Sequence, residues 1–458
     1  MKEKAMLKDS IDFGKENIPI LFKKMLIPTI LGMLSTALIV VIDGIFVGRG
    51  IGSNGLAAVN IAVPLFMLFT GLGLMFGIGA SVVVSIHLSK NKFKAANINF
   101  TQSLIVSVVL MLIVTVLLLV FNKQIAYLFG ASEMLLPLAL EYMNWIVPFS
   151  VFNMLAVIGL FFIRIDGSPK YAMYCSVIPA ILNVILDYLF IFLLGWGLKG
   201  AAFASGLSMA VGGIMVLAYL FFTPKVLHFY RIKISRKSLQ FTARNIGYML
   251  MLGSPAFIAE TSLAFMIATG NNVFIGLLGE DGVAAFSIAC YFFPMLFMMG
   301  NAIAQSAQPI ISFNHGAGHI QRVLHAAKLS VKTAIAFGLI ITLFFVFFSK
   351  YVVALFLDSS SSSYHIAVHG IPYFSLASLF FIFNIVIAGY FQSIEKHKSA
   401  TVIIILRGYL FMFISFIFIP RMFGITGAWL AVPVAEILTT VLIVVYFVSN
   451  KRKKELQD

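Results

Sequence analysis

Residues 52–80 read GSNGLAAVNIAVPLFMLFTGLGLMFGIGA, and residues 279–307 read GEDGVAAFSIACYFFPMLFMMGNAIAQSA. At the one constant offset that carries Gly52 onto Gly279, the residues Gly55, Ala57, Ala58, Ile61, Phe66, Gly73 and Ala80 meet Gly282, Ala284, Ala285, Ile288, Phe293, Gly300 and Ala307. The same register brings Gly197, Gly200, Ala201 and Ala204 onto Gly424, Gly427, Ala428 and Ala431. Small residues coincide by chance in apolar helices, but one offset held over so long a stretch marks an internal repeat. The chain is two copies of one plan.

Outward from this pair, twelve apolar runs lie near 25–48, 58–86, 101–121, 138–163, 171–194, 201–222, 247–275, 284–313, 330–349, 366–392, 399–420 and 427–448. Each can cross a hydrocarbon core of about 30 Å, which takes about 20 apolar residues as a helix. The runs are continuous rather than alternating, which excludes a β-barrel. Of 458 residues 61% are hydrophobic and 11% charged, and the mean hydropathy is +1.02; soluble domains average roughly 25% charged. A water-soluble globular protein is excluded. The expected fold is an all-α polytopic membrane protein with 12 transmembrane helices in two six-helix lobes. Because six is even, the lobes are expected to share one orientation about a pseudo-twofold axis along the membrane normal, with a central cleft of the kind in which such transporters hold substrate. The expected boundaries are 1–223 for the first lobe, 224–246 for a cytoplasmic linker, and 247–458 for the second lobe with its basic tail.

The net charge of +15 and pI near 9.7 would suit nucleic acid on a soluble face, but here the charge must sit in loops between spans. Alternate loops divide the cations unequally: one set holds 26 Lys and Arg, from six before the first span to Lys451, Arg452, Lys453 and Lys454. The other set holds five: Arg49, Lys123, Lys199, Lys350 and Arg421. Positive loops stay cytoplasmic, so both termini are expected there. The stretch 1–24 lacks the pattern of a cleaved signal, which makes the first run a retained span. Cys175 and Cys290 both lie in apolar runs, against a disulfide framework. No GxxxxGK[ST] motif occurs, and His315, His319 and His325 lack the Glu of an HExxH site; no enzyme activity and no cofactor are expected. Ser359–Ser363 reads as flexible outer surface.

Acids at membrane depth cost several kcal/mol unless paired or hydrated, so each is a candidate functional group. Four qualify: Asp43, Asp187, Glu260 and Glu436. At about 1.5 Å per residue, Asp43 falls about 8 Å below the outer end of the first span and Asp187 about 10 Å below that of the fifth. Asn183 lies one turn from Asp187 on the same helix face, and Ser205 about 8 Å into the sixth span. Two carboxylates, an amide oxygen and a hydroxyl suit a hard cation such as Na⁺, or a proton shared between the acids; polar packing against backbone is the plainer alternative. Glu260 and Glu436 are not repeat equivalents of these acids, since the offset carries Asp43 to Gly270 and Asp187 to Ile414. They are candidates for holding a cationic substrate, for a second protonation site, or for structure, and Arg407, the one cation inside a run, could neutralise one of them.

Pro28 removes a backbone hydrogen bond and permits a hinge in the span carrying Asp43, unless it sits in the first helical turn. Gly73 and Gly77 have the spacing of close helix packing. The chain holds 46 Phe and 21 Met. Phe292, Phe293, Met295, Phe297, Met298 and Met299 could form a deformable apolar wall for varied ligands or could simply pack.

Several of these residues fall in a recognisable order: Pro28 with Asp43-x-x-Phe46-Val47-Gly48, Gly167-Ser168-Pro169-Lys170, Asn183-x-x-x-Asp187, and Gly200-Ala201-Ala202-x-Ala204-Ser205. The chain resembles the multidrug and toxic compound extrusion family over nearly its whole length, most of all its bacterial drug-exporter branch. That resemblance implies a monomer in the bacterial plasma membrane, exporting amphipathic, often cationic compounds in exchange for Na⁺ or H⁺. It further implies that Asp43, Asn183, Asp187 and Ser205 form the cation site, with Ser205 standing where the family has Thr. Glu260 resembles an acid used in one branch, whose second acid is replaced here by Asn384. A lipid-linked precursor flippase shares the two-lobe plan, but its cavity should be basic, whereas these spans carry four acids and one Arg.

Overall fold

The computed structural model describes residues 11–129, 131–232, 235–357 and 359–455. The cations counted before residue 11 and Lys233 lie outside these. Among the described residues nine helices are long and apolar enough to cross a membrane, and Ser362–Ser375 with Ala377–Ser393, bent by 40°, add a tenth. Two of the nine each hold two spans, broken where Gly279 and Gly424 leave helical φ/ψ. The spans are α1 (Ile18–Gly50), α2 (Ser53–Ser89), α3 (Phe93–Val120), α4 (Leu136–Ile165), α5 (Pro169–Leu193), α6 (Gly197–Phe222), α7 (236–278), α8 (280–316), α9 (Ile320–Ala354), α10 (362–393), α11 (397–423) and α12 (425–455). The expected runs fall on these twelve helices, and no strand occurs among the described residues.

The repeat is visible in the backbone itself. Gly52 and its repeat partner Gly279 turn the chain with φ of 93° and 63°, and Gly197 and Gly424, at the same offset, with 61° and 57°. A Cβ at positive φ is strained, so these turns between consecutive spans require glycine. Asn91 and Gly318 hold the same register with φ of 55° and 78°.

The helices form two compact units: residues up to Phe257 with Gln308–Val323, and Ile258–Ala307 with residues from Leu324 onward. The division runs through α7 and α8 rather than the linker. Its physical cause is a backbone contact: a Cβ on Gly79 would overlap the Met249 carbonyl, and one on Gly253 would overlap that of Met75. α2 therefore lies directly against the N-terminal half of α7, the close approach that small residues permit in membranes. Gly73 and Gly77 serve a different contact, receiving the side chains of Val157 and Phe161 from α4. The end of α8 is tied down as well. Asn314, fully buried, donates to the Phe13 carbonyl, and Arg322 donates to Asn314 Oδ1 and to the carbonyls of Phe13 and Glu16.

The linker is strapped to the first unit by a residue that reads as an ordinary loop acid. The Asp166 carboxylate, just beyond α4, accepts from the amides of Lys225, Val226 and Leu227 at 2.7, 2.7 and 2.8 Å and from the Tyr219 hydroxyl at 2.7 Å. Burial pushes its carboxyl above the usual range while these donors pull it back down. The strap continues as His228 and Tyr230 donate their amides to Asn97 Oδ1 and Thr101 Oγ1 at the start of α3. The serine run is not free surface: Ser361 caps α10 by accepting from the Tyr364 amide, and buried Ser363 donates to Asp281.

Replacing Asp166 by Ala removes the acceptor of three linker amides, of which that of buried Leu227 stands to lose about 1–3 kcal/mol if left unpaired. Limited proteolysis should then cut between residues 223 and 235 markedly faster than in the native chain. Gly253→Val forces α2 and α7 apart, and overpacking of this kind costs about 1–3 kcal/mol. A fall of several degrees in melting temperature in detergent is expected. Gly276→Ala, where a Cβ meets nothing within 4 Å, should melt like the native protein.

Candidate cation site

Three helices of the first unit build the site. α1 lies along α5, with Gly32 against Ser176 and Gly50 against Ile191, so Asp43 on α1 comes to face α5. On α5, Asn183 and Asp187 are one turn apart and share a face. The helix changes pitch immediately afterwards: Tyr188–Leu193 form a π-helical turn. Such turns often mark functional positions in a helix, and this one follows directly on Asp187. α6 contributes Ser205, whose Oγ accepts from Asn183 Nδ2 at 3.2 Å.

The sequence-derived quartet is thus brought together, and its polar atoms are under-supplied with partners. Asp187 is fully buried and Asn183 2% exposed; Asp43 is half-buried. The carboxyl groups of Asp43 and Asp187 lie next to one another. Yet Asp43 Oδ1, Asn183 Oδ1 and both Asp187 oxygens are buried with no hydrogen bond among the described residues. Buried polar groups are almost always paired, so these four acceptors on two adjacent helices mark the candidate site. The Asn183 nitrogen is spent on Ser205, while its oxygen has no partner among the described residues. Tyr142, 1% exposed on α4, lies within electrostatic reach of both acids. The sequence reading passed over it; a lone tyrosine inside an apolar run was the available signal.

The other candidates separate. Glu436 on α12 pairs with Arg407 of α11, Nε to Oε1 at 3.0 Å, with both side chains buried. Asn384 of α10 donates to Glu436 Oε2 at 2.8 Å. Glu260 is half-buried on α7, and no cation among the described residues pairs with it. The aromatic and methionine stretch on α8 does not form one wall, because consecutive residues point around the helix. Phe293 and Phe297 point into the second unit, where both meet Phe381. Phe292 packs on Phe345 and Phe356, Met295 is 38% exposed, and Met298 is half-buried. Pro28 stands well inside α1, since that helix begins at Ile18. It is therefore an interior proline that leaves the carbonyl one turn back without its helical donor, not a tolerated first-turn residue.

Comparison with known proteins identifies the family. The MatE family model matches twice, over residues 28–189 and 255–417, the two matches starting at the same offset that relates the repeated glycines. The chain belongs to the MatE family. It is similar to the multidrug export protein MepA of Staphylococcus aureus (strain NCTC 8325 / PS 47), 25% identical over 456 residues that cover 97% of this chain and 98% of that protein. It is also similar to MepA of Staphylococcus haemolyticus, 25% identical over 445 residues, with 94% of each chain covered. Its fold matches an outward-facing conformation of a multidrug resistance MATE family transporter of the MOP superfamily, with a TM-score of 0.87, 23% identity, and 100% of this chain and 99% of that one covered. This MatE protein is a multi-pass membrane transporter.

Two adjacent carboxylates repel one another when both are charged. Functional sites commonly trade stability in this way, by about 0.5–2 kcal/mol. Asp187→Asn should therefore raise the melting temperature in buffer free of Na⁺ and K⁺, by a few degrees. An unchanged or lower value would show that the acids are already compensated.

Proposed function

We propose that this transporter exports amphipathic, often cationic drugs from a bacterial cell, driven by Na⁺ or H⁺ entering through Asp43, Asn183, Asp187 and Ser205. The observation that carries this reading is the set of four buried oxygens without partners. Each cation cycle would fill and vacate those acceptors. An arriving Na⁺ would bring a hard, oxygen-seeking charge to two carboxylates, an amide and a hydroxyl; an arriving proton would let one acid donate to the other. Either removes the mutual repulsion of the carboxylates and so favours a different packing of α1 on α5. Pro28 gives α1 the freedom to bend below Asp43. Ion and drug then act on one equilibrium between inward-open and outward-open shapes, each shifting it by its own difference in affinity.

Glu260, half-buried with no cation beside it among the described residues, is proposed to attract the positive charge of a drug. The protein is proposed to sit in the plasma membrane as a monomer with both termini in the cytoplasm. The flippase alternative finds less support. An anionic pyrophosphate head needs free cations at depth, and Arg407, the Arg inside the eleventh apolar run, is engaged by Glu436.

Proteoliposomes loaded with ethidium or norfloxacin and given first an inward Na⁺ gradient, then an inward pH gradient, test the proposal. One gradient should accelerate export at least tenfold, and Asp43→Asn or Asp187→Asn should each abolish that acceleration in protein that still reconstitutes. Gradient-driven export at the native rate by both variants would overturn the site assignment.

A further inference from the structure

The second unit holds a buried charged cluster that nothing so far assigns. Arg407 and Glu436 are 2% and 0% exposed in their side chains. The Glu436 carboxylate is fully supplied. Oε1 accepts from Arg407 Nε at 3.0 Å, while Oε2 accepts from the same nitrogen at 3.2 Å and from Asn384 Nδ2 at 2.8 Å. Asn384 is held in turn, its Oδ1 accepting from the Thr440 hydroxyl at 2.9 Å and its Nδ2 also donating to the Glu436 carbonyl. The guanidinium is held flat by a second device, lying 4.1 Å from the centroid of the Phe381 ring. Locally, Arg407 sits in a five-residue π-helical segment, Leu406–Leu410, and the neighbouring Gly408 lets α11 press against Ser262. The chain has changed its helical pitch where it delivers this side chain to the acid.

Comparing the two clusters by what each lacks is informative. At the Asp43–Asp187 cluster of the first unit the unpaired buried atoms are all acceptors: Asp43 Oδ1, Asn183 Oδ1, Asp187 Oδ1 and Asp187 Oδ2. In this cluster the unpaired atom is a donor, Arg407 Nη1. The first cluster is short of donors, and the second, balanced in charge, has an N–H to spare. A covalently attached cation already occupies the place that a mobile cation would take at Glu436.

We propose that Arg407 is a tethered counter-ion that closes the Glu436 site of the second unit to the coupling cation. This deepens the proposed function and rests on it for the existence of a coupling ion. An ion pair so buried gains little stability over an apolar pair of similar size, but losing one partner leaves an uncompensated charge. Arg407→Met would therefore turn Glu436 into a vacant acidic site. Arg407→Met combined with Glu436→Leu would remove the site without exposing a charge.

The test compares native protein with both variants in two measurements. The first is equilibrium cation binding per chain, with ²²Na⁺ and, separately, by proton uptake at a pH electrode. The second is gradient-driven ethidium export from proteoliposomes. Arg407→Met should bind one cation more per chain than the native protein. The double variant should return to the native count and export within about twofold of the native rate. A folded double variant that loses tenfold or more in gradient-driven export, or a folded Arg407→Met with the native cation count, overturns the proposal. Should Arg407→Met fail to fold, the double variant decides alone. Native protein exporting no drug under either gradient would instead refute the proposed function, and the cation counts would still judge the tethered ion.

Discussion

A charge in hydrocarbon must find a partner, and this protein meets that constraint in two opposite ways. In the second unit the partner is permanent: Arg407 lies against Glu436 with both buried. In the first, four oxygens of Asp43, Asn183 and Asp187 are buried without a hydrogen bond among the described residues, a deficit of donors. The proposed function rests on that difference between the two units.

The rest of the scaffold holds that deficit in place. Gly32 and Gly50 let α1 lie close to α5, so that carboxylates from different helices meet. The π turn after Asp187 and the hydrogen bond from Asn183 to Ser205 fix the direction of the acceptors. Around the site the first unit is stiffened by backbone contact at Gly79 and Gly253 and by the linker strap on Asp166. Pro28 is the exception, a missing helical bond in the interior of the helix that carries Asp43. The candidate site thus has close packing on one side and a weak point in α1 on the other.

Much of this was legible beforehand, and the exceptions have a common cause. The quartet could be found by counting rise per residue along three spans, because depth in a membrane is a one-dimensional quantity. The pairing of Arg407 with Glu436 could only be guessed, since it joins residues on different helices whose rotation about their axes the sequence does not state. Asp166 was missed because a carboxylate beside a turn looks solvated until the linker folds over it. Tyr142 was hidden by the tolerance of apolar runs for tyrosine. Pro28 was ambiguous because hydropathy locates the hydrocarbon boundary, while α1 begins at Ile18, before the apolar run does.

The amino-acid order alone settles the number of spans, their grouping into two repeats and the residues at which charge enters the membrane, because hydrophobicity, spacing and a constant offset are properties of a line. Which face each helix turns to its neighbour was decided only by tertiary packing, through glycines small enough for backbones to touch and side chains that meet across spans. That is why buried acids of similar chemistry lie beside one another in one unit and in a closed ion pair in the other.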